Sequence, residues 1–82
     1  MEETRIAVVA IIVEDISASE KVNSTLHDFG QYIVGRMGLP YREKGVSVIS
    51  VVVDAPSPTI NALTGKLGMI KGVSAKTLYS NK

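Results

Sequence analysis

Two stretches of this chain, Thr4 to Val13 and Val46 to Val53, are so rich in β-branched and aliphatic residues that both alternating sets of side chains are apolar. In the first, Ile6, Val8, Ala10 and Ile12 stand against Ala7, Val9, Ile11 and Val13. In the second, Val46, Val48 and Val52 stand against Ile49, Val51 and Val53. A strand with one wet face alternates apolar and polar residues, whereas a strand covered on both faces reads as a near-continuous apolar run. Both stretches are too short to cross a membrane as helices. They belong at the centre of a sheet, and the rest of the chain must flank and cover them.

The flanking segments supply the rest of the pattern. Glu14-Asp15-Ile16 breaks the first run, and Ser17-Ala18-Ser19-Glu20 has the spacing of a capping box. That predicts a helix with Val22, Leu26 and Phe29 as its apolar stripe and Gly30 at the C′ position. A second strand is expected within Gln31 to Leu39, with a turn at Arg42-Glu43-Lys44-Gly45. Its glycines and the neighbouring Pro40 suit an edge strand, because proline cannot complete an inner ladder. Asp54-Ala55-Pro56-Ser57-Pro58 stops the third strand, with Ser57 as N-cap and Pro58 as first helical residue. Ile60, Leu63 and Leu67 form the second helical stripe, Gly68 ends it, and Gly72 precedes a fourth strand over Val73 to Tyr79.

The order β-α-β-β-α-β is the ferredoxin-like pattern of the α+β class, an antiparallel sheet in the order 4-1-3-2 with two helices on one face. The chain's 82 residues make a single domain, residues 1–82. A chain this small buries only ~60% of the surface it exposes when unfolded, so further burial by self-association is expected. The sheet sharpens that expectation. Two helices cover one face of it, and the second face of the two central strands is left as an apolar patch of a kind soluble monomers avoid. A homo-oligomer, dimer or tetramer, is therefore expected, with sheets face to face or edge to edge.

The chemistry-bearing residues are few. The chain has no cysteine and one histidine, His27, beside Asp28 on the first helix, where neighbouring positions do not face each other. This excludes a thiolate metal site and a cysteine nucleophile, and it gives no catalytic dyad, no metal site and no cofactor; the chain reads as a non-enzyme. Gly65-Lys66-Leu67-Gly68 lacks the spacing of a phosphate loop, and Gly35-Arg36-Met37-Gly38 opens no helix and is no dinucleotide fingerprint. The N-terminus has no basic n-region, and the chain reads as soluble and cytoplasmic, with no membrane partner.

Two groups remain as ligand or interface candidates. Glu14, Asp15 and Ser17 form the first β-α turn, which would present helix-end amides to a cleft. Arg36, Tyr41, Arg42 and Lys44 lie in a segment, Gly35 to Gly45, that is too basic for a buried strand and too rich in glycine for a helix. Charge is uneven. Residues 1–30 hold two cations against six acids, −4, and residues 31–82 hold seven cations against two acids, +5. This means a basic binding face, complementary subunit contacts, or two halves that interleave in space. A small effector or protein partner is the favoured use of such a domain. Nucleic-acid binding through Arg36, Arg42, Lys44, Lys66, Lys71 and Lys76 is the alternative.

The segment Gly35-Arg36-Met37-Gly38-Leu39-Pro40-Tyr41-Arg42-Glu43-Lys44-Gly45-Val46 resembles the hallmark of the small proteins called iron-only hydrogenase system regulators. The resemblance continues through Thr4 to Val13, Leu26 to Gly30, Asp54-Ala55-Pro56, Ala62 to Gly68 and Gly72 to Thr77, which is almost the whole chain. It implies an ACT-like ferredoxin-fold domain, similar to the C-terminal domain of the nickel-responsive regulator, in a bacterial cytoplasmic protein with a role in regulation, including transcriptional regulation. That relative binds nickel through histidines and a cysteine around its second and third strands. Tyr32 to Val53 contains neither residue here, so the resemblance does not carry the nickel site over.

Overall fold

The computed structural model describes residues 3–81, so Met1, Glu2 and Lys82, two of them members of the charge count above, lie outside the described residues. The two apolar runs form β1 (Arg5–Val13) and β3 (Val46–Ala55), paired antiparallel along their length from Arg5 opposite Ala55 to Val13 opposite Ser47. Around them stand α1 (Ser19–Asp28), β2 (Ile33–Tyr41), α2 (Ser57–Gly68) and β4 (Val73–Tyr79). The sheet order is β2-β3-β1-β4, which read from the β4 edge is 4-1-3-2. The doubly apolar strands are the central pair, as their sequence demands, and Pro40 lies on edge strand β2.

Both helical stripes close onto one face. Val22 and Leu26 from α1 and Ile60, Leu63 and Leu67 from α2 are buried with Val9, Ile11, Val13, Val51 and Val53 in one core, and Phe29 packs partly buried against it. The halves of opposite charge interleave: β1, from the acidic half, runs between β3 and β4 from the basic half.

Several local details differ from the sequence expectation. α1 does not begin at a Ser17–Glu20 capping box. The Asp15 carboxylate accepts from the Ser17 amide at 3.0 Å and from the Ser17 hydroxyl at 2.7 Å. A carboxylate two residues upstream is the stronger acceptor, so it draws Ser17 into a short 3-10 turn over Ile16–Ala18, and the α-helix starts after it. At α2 the cap position falls to Pro56, whose carbonyl accepts from the amides of Thr59 and Ile60; Ser57 is helical, and Pro58 in the first turn still has no amide to leave unpaired. Gly30 opens a second 3-10 turn, Gly30–Tyr32, and does not take the left-handed conformation. β2 accordingly runs later than expected, to Tyr41, and β3 extends to Ala55.

Two glycines do take positive φ. Gly45 (φ 65) closes the 3-10 turn Arg42–Lys44 between β2 and β3. Gly72 (φ 81) leads into β4, and its carbonyl accepts from the amides of Glu14 and Asp15 at 2.7 and 3.3 Å. That tie fixes the exit of β1 against the entry of β4.

The face away from the helices is bare. Alternation along the paired strands places Ile6, Val8, Ala10 and Ile12 of β1 beside Val46, Val48, Ser50 and Val52 of β3, Met37 and Leu39 of β2 and Leu78 of β4. Ile6, Ile12, Val48, Met37, Leu39 and Leu78 are all exposed, Leu78 by 74%. In the strands, the charged residues on this face are Lys76 and Asp54, of opposite sign.

Candidate functional site

The candidate residues separate into two places. Glu14, Asp15 and Ser17 stay together in the β1–α1 connection, all exposed. Their local order comes from the Gly72 carbonyl on one side and the Asp15–Ser17 bonds on the other. Asp15 and Ser17, with Lys21 and Lys71, border a shallow recess of about 200 Å³. The donated hydroxyl and amide of Ser17, with the charge of Lys71, hold the Asp15 carboxyl below the usual carboxylate range.

A carboxyl whose folded-state pKa is depressed contributes stability that is fully present above its unfolded value, about pH 4, and is lost as pH falls through the lower folded value. The turn at Asp15 is thus expected to be intact through neutral pH and to loosen only in acid. An NMR titration of the Asp15 carboxyl carbon checks this. A midpoint below that of an unstructured aspartate is expected, moving up toward it in Ser17→Ala; a midpoint indifferent to Ser17 would contradict the assignment.

Arg36, Tyr41 and Arg42 lie elsewhere, on the β2–β3 hairpin, where Tyr41, opposite Val46, alternates to the bare face with Met37 and Leu39. A β-bulge between Ile33 and Gly35 shifts the register of β2 against β3 by one residue. After the shift Gly35, Met37 and Leu39 turn to the bare face while Arg36, Gly38 and Pro40 turn toward α1. Arg36 donates from Nη2 to Asn23 Oδ1 on α1 at 3.0 Å. Beneath this pair is a cavity of about 250 Å³ with apolar walls from Val13, Val22 and Ile49 and polar groups from Ser19, Asn23, Arg36 and Ser47. Gly38 leaves room in it, since a Cβ there would meet nothing within 4 Å. A second cavity, about 400 Å³, shares Ser19, Pro40 and Ser47 with the first and extends past Tyr41 and Arg42. Lys44, in the hairpin turn, borders neither.

Sequence reasoning missed Ser19, Asn23 and Ser47. Ser19 and Asn23 are four apart, so they share one helix face next to the buried Val22, a polar flank that spacing alone reveals. Among the described residues neither cavity is lined by an acid, and the two hold one arginine each. The other cations are dispersed. Lys66 lies over the Phe29 ring at 5.7 Å near the end of α2, Lys71 is by Asp15, and Lys76 is on the bare sheet face. Among the described residues no group of three or more His, Cys, Asp or Glu side chains is gathered as a metal site would require, and no helix is long and apolar enough to cross a membrane.

Comparison with known proteins adds three findings. Residues 5–77 match the family described as "TM1266-like: Iron-only hydrogenase system regulator, putative". The structure is similar to that of the uncharacterized protein TM1266 from Thermotoga maritima, with 42% sequence identity, a TM-score of 0.91, and coverage of 94% of this chain and 98% of that one. It is also similar to part of a formyltetrahydrofolate deformylase from Pseudomonas putida KT2440, with a TM-score of 0.67, 13% identity, and coverage of 94% of this chain and 29% of that one, a likeness of fold alone. A search of curated proteins gives no match.

Proposed function

Because the chain belongs to the TM1266-like family, described in terms of iron-only hydrogenase system regulation, we propose that it is a non-catalytic, ACT-like regulatory domain of the cytoplasm that acts as a homo-oligomer and answers to a small-molecule effector or a protein partner. The observation that carries this reading is the bare apolar sheet face. Strands about 4.8 Å apart and up to about 30 Å long give a four-stranded face of roughly 500 Å². That is at the upper end of the apolar patches found on monomers, about 300–600 Å². Its occupant is a second copy of the same sheet. The surface is mostly apolar, its strands carry one charge of each sign, and it is shallow at its centre, where Ala10 lies opposite Ser50. Two such surfaces meet without net repulsion and pack at the usual spacing of about 10 Å between sheets. Pro40 and the bulge interrupt edge strand β2 as a template for edge pairing, which favours the face-to-face arrangement.

The polar groups of the cavities support binding over catalysis. Guanidinium groups donate several hydrogen bonds in a planar fork, which suits them to holding anions and not to serving as general acids or bases. The scatter of Lys66, Lys71 and Lys76 over separate surfaces weighs against the nucleic-acid alternative, which needs a basic stripe that tracks phosphates.

Native mass spectrometry of the protein purified from cells that express it tests this reading. A dimer or tetramer is expected, with a small molecule retained on a fraction of the subunits. A bare monomer that binds a duplex, with affinity falling steeply as salt rises, would replace this reading with the nucleic-acid one.

A further inference from the structure

The adjoining cavities on the helix side of the hairpin have a chemical signature that narrows the class of effector. Their walls are apolar on one side, from Pro40 and the edge of Ile49 with Val13 and Val22 buried behind, and polar on the other, from Asn23 and Arg36. Arg36 is exposed at the rim, and one of its Nη atoms is committed to Asn23. A guanidinium has five N–H donors and a primary carboxamide two, so this pair still offers several donors from two planar groups joined by a hydrogen bond. With Arg42 at the far end and no acid on the lining, the trough is electropositive.

We propose that this trough binds a small organic carboxylate with an apolar body, its carboxylate on Arg36 and Asn23 and its body against Pro40 and the accessible edge of Ile49. The assignment rests on the effector reading given above and specifies its ligand. A planar fork matches a carboxylate in two-point fashion. The apolar walls gain only if the ligand brings an apolar body, which an inorganic anion lacks. A zwitterion is disfavoured, because no carboxylate in the lining would pair with its ammonium group. The bulge and Gly38 are the backbone features that make the site: the bulge turns Arg36 toward α1, and Gly38 leaves the floor open.

The test is an amide-resolved NMR titration of the full chain, in its native assembly, with isovalerate, isovaleramide, valine and inorganic phosphate. Isovalerate is expected to give saturable shifts at Asn23, Gly38 and Ser47. Isovaleramide, which removes the charge, and valine, which adds an ammonium group, are each expected to bind at least about tenfold more weakly. Arg36→Gln is expected to weaken isovalerate binding by a similar factor, and Gly38→Leu, whose side chain has room to enter the cavity, to abolish it. Absence of saturable isovalerate shifts at these amides, or unchanged affinity in both variants, overturns the proposal. Binding of valine or phosphate at these same amides in place of isovalerate also overturns it, yet leaves the broader effector reading standing. That broader reading fails separately, if the purified chain is a bare monomer that binds a duplex with steep salt dependence.

Discussion

Val48→Asp is expected to abolish self-association while leaving the subunit folded. Val48 is 41% exposed in the single chain, so a carboxylate there can reach water, and the fold loses little beyond the poor strand preference of aspartate. In a face-to-face pair the same side chain lies between Ile12 and Leu39 beneath a second sheet. An unpaired charge buried in that way costs about 3–5 kcal/mol. A two-fold interface carries the substitution twice, so the dissociation constant is expected to rise by at least about a thousandfold. Light scattering measures the loss of assembly, and an amide spectrum with native dispersion reports that the monomer is intact. Val48→Asp protein that still assembles like the unmodified chain would place the interface elsewhere.

The second large effect concerns Gly72. Its φ of 81° lies in the left-handed region, and a Cβ built on it would stand 2.5 Å from Asp15 Cβ and 3.3 Å from the Asp15 amide nitrogen. Gly72→Ala therefore meets both conformational strain and a collision with the backbone of the β1–α1 connection, which the Gly72 carbonyl itself holds in place. A loss of about 2–4 kcal/mol is expected, a fall in Tm on the order of 10–20 °C for a domain of this size. Gly45→Ala is the internal control. Its φ is 65°, but a Cβ there meets nothing within 4 Å, so strain acts alone and about 1 kcal/mol is expected. Thermal unfolding of the two variants separates the contributions. Equal losses would mean that the close approach to Asp15 contributes nothing.

Much of the fold was legible because its strongest signals are redundant. β1 and β3 announce themselves as central by being apolar in both registers, and the sheet order leaves them no other place. Gly72 set the start of β4 at Val73, and the Ile60, Leu63 and Leu67 stripe set the buried face of α2. The helix starts were less legible, because several polar residues compete for each cap. Asp15 outbids Ser17 as acceptor, and the Pro56 carbonyl precedes Ser57.

The candidate site was legible only in part, and for a physical reason. Which residues of β2 face α1 depends on a single extra residue at the bulge. Since side chains alternate with period two, a one-residue slip exchanges the faces of the whole strand. Without the bulge Met37 would face α1 and Arg36 the bare side. Gly35 inside a strand is the sequence mark of such an irregularity, but its consequence for Arg36 required the register. Ser19, Asn23 and Ser47 then became members of the site because Arg36 turned toward them.

A second copy of the chain is proposed to cover the bare sheet face. Equilibrium sedimentation of the unmodified chain, from low to high micromolar concentration, tests it most directly. A mass of two or more subunits is expected across that range, falling to one subunit in Val48→Asp. A single-subunit mass for the unmodified chain at high micromolar concentration would contradict it.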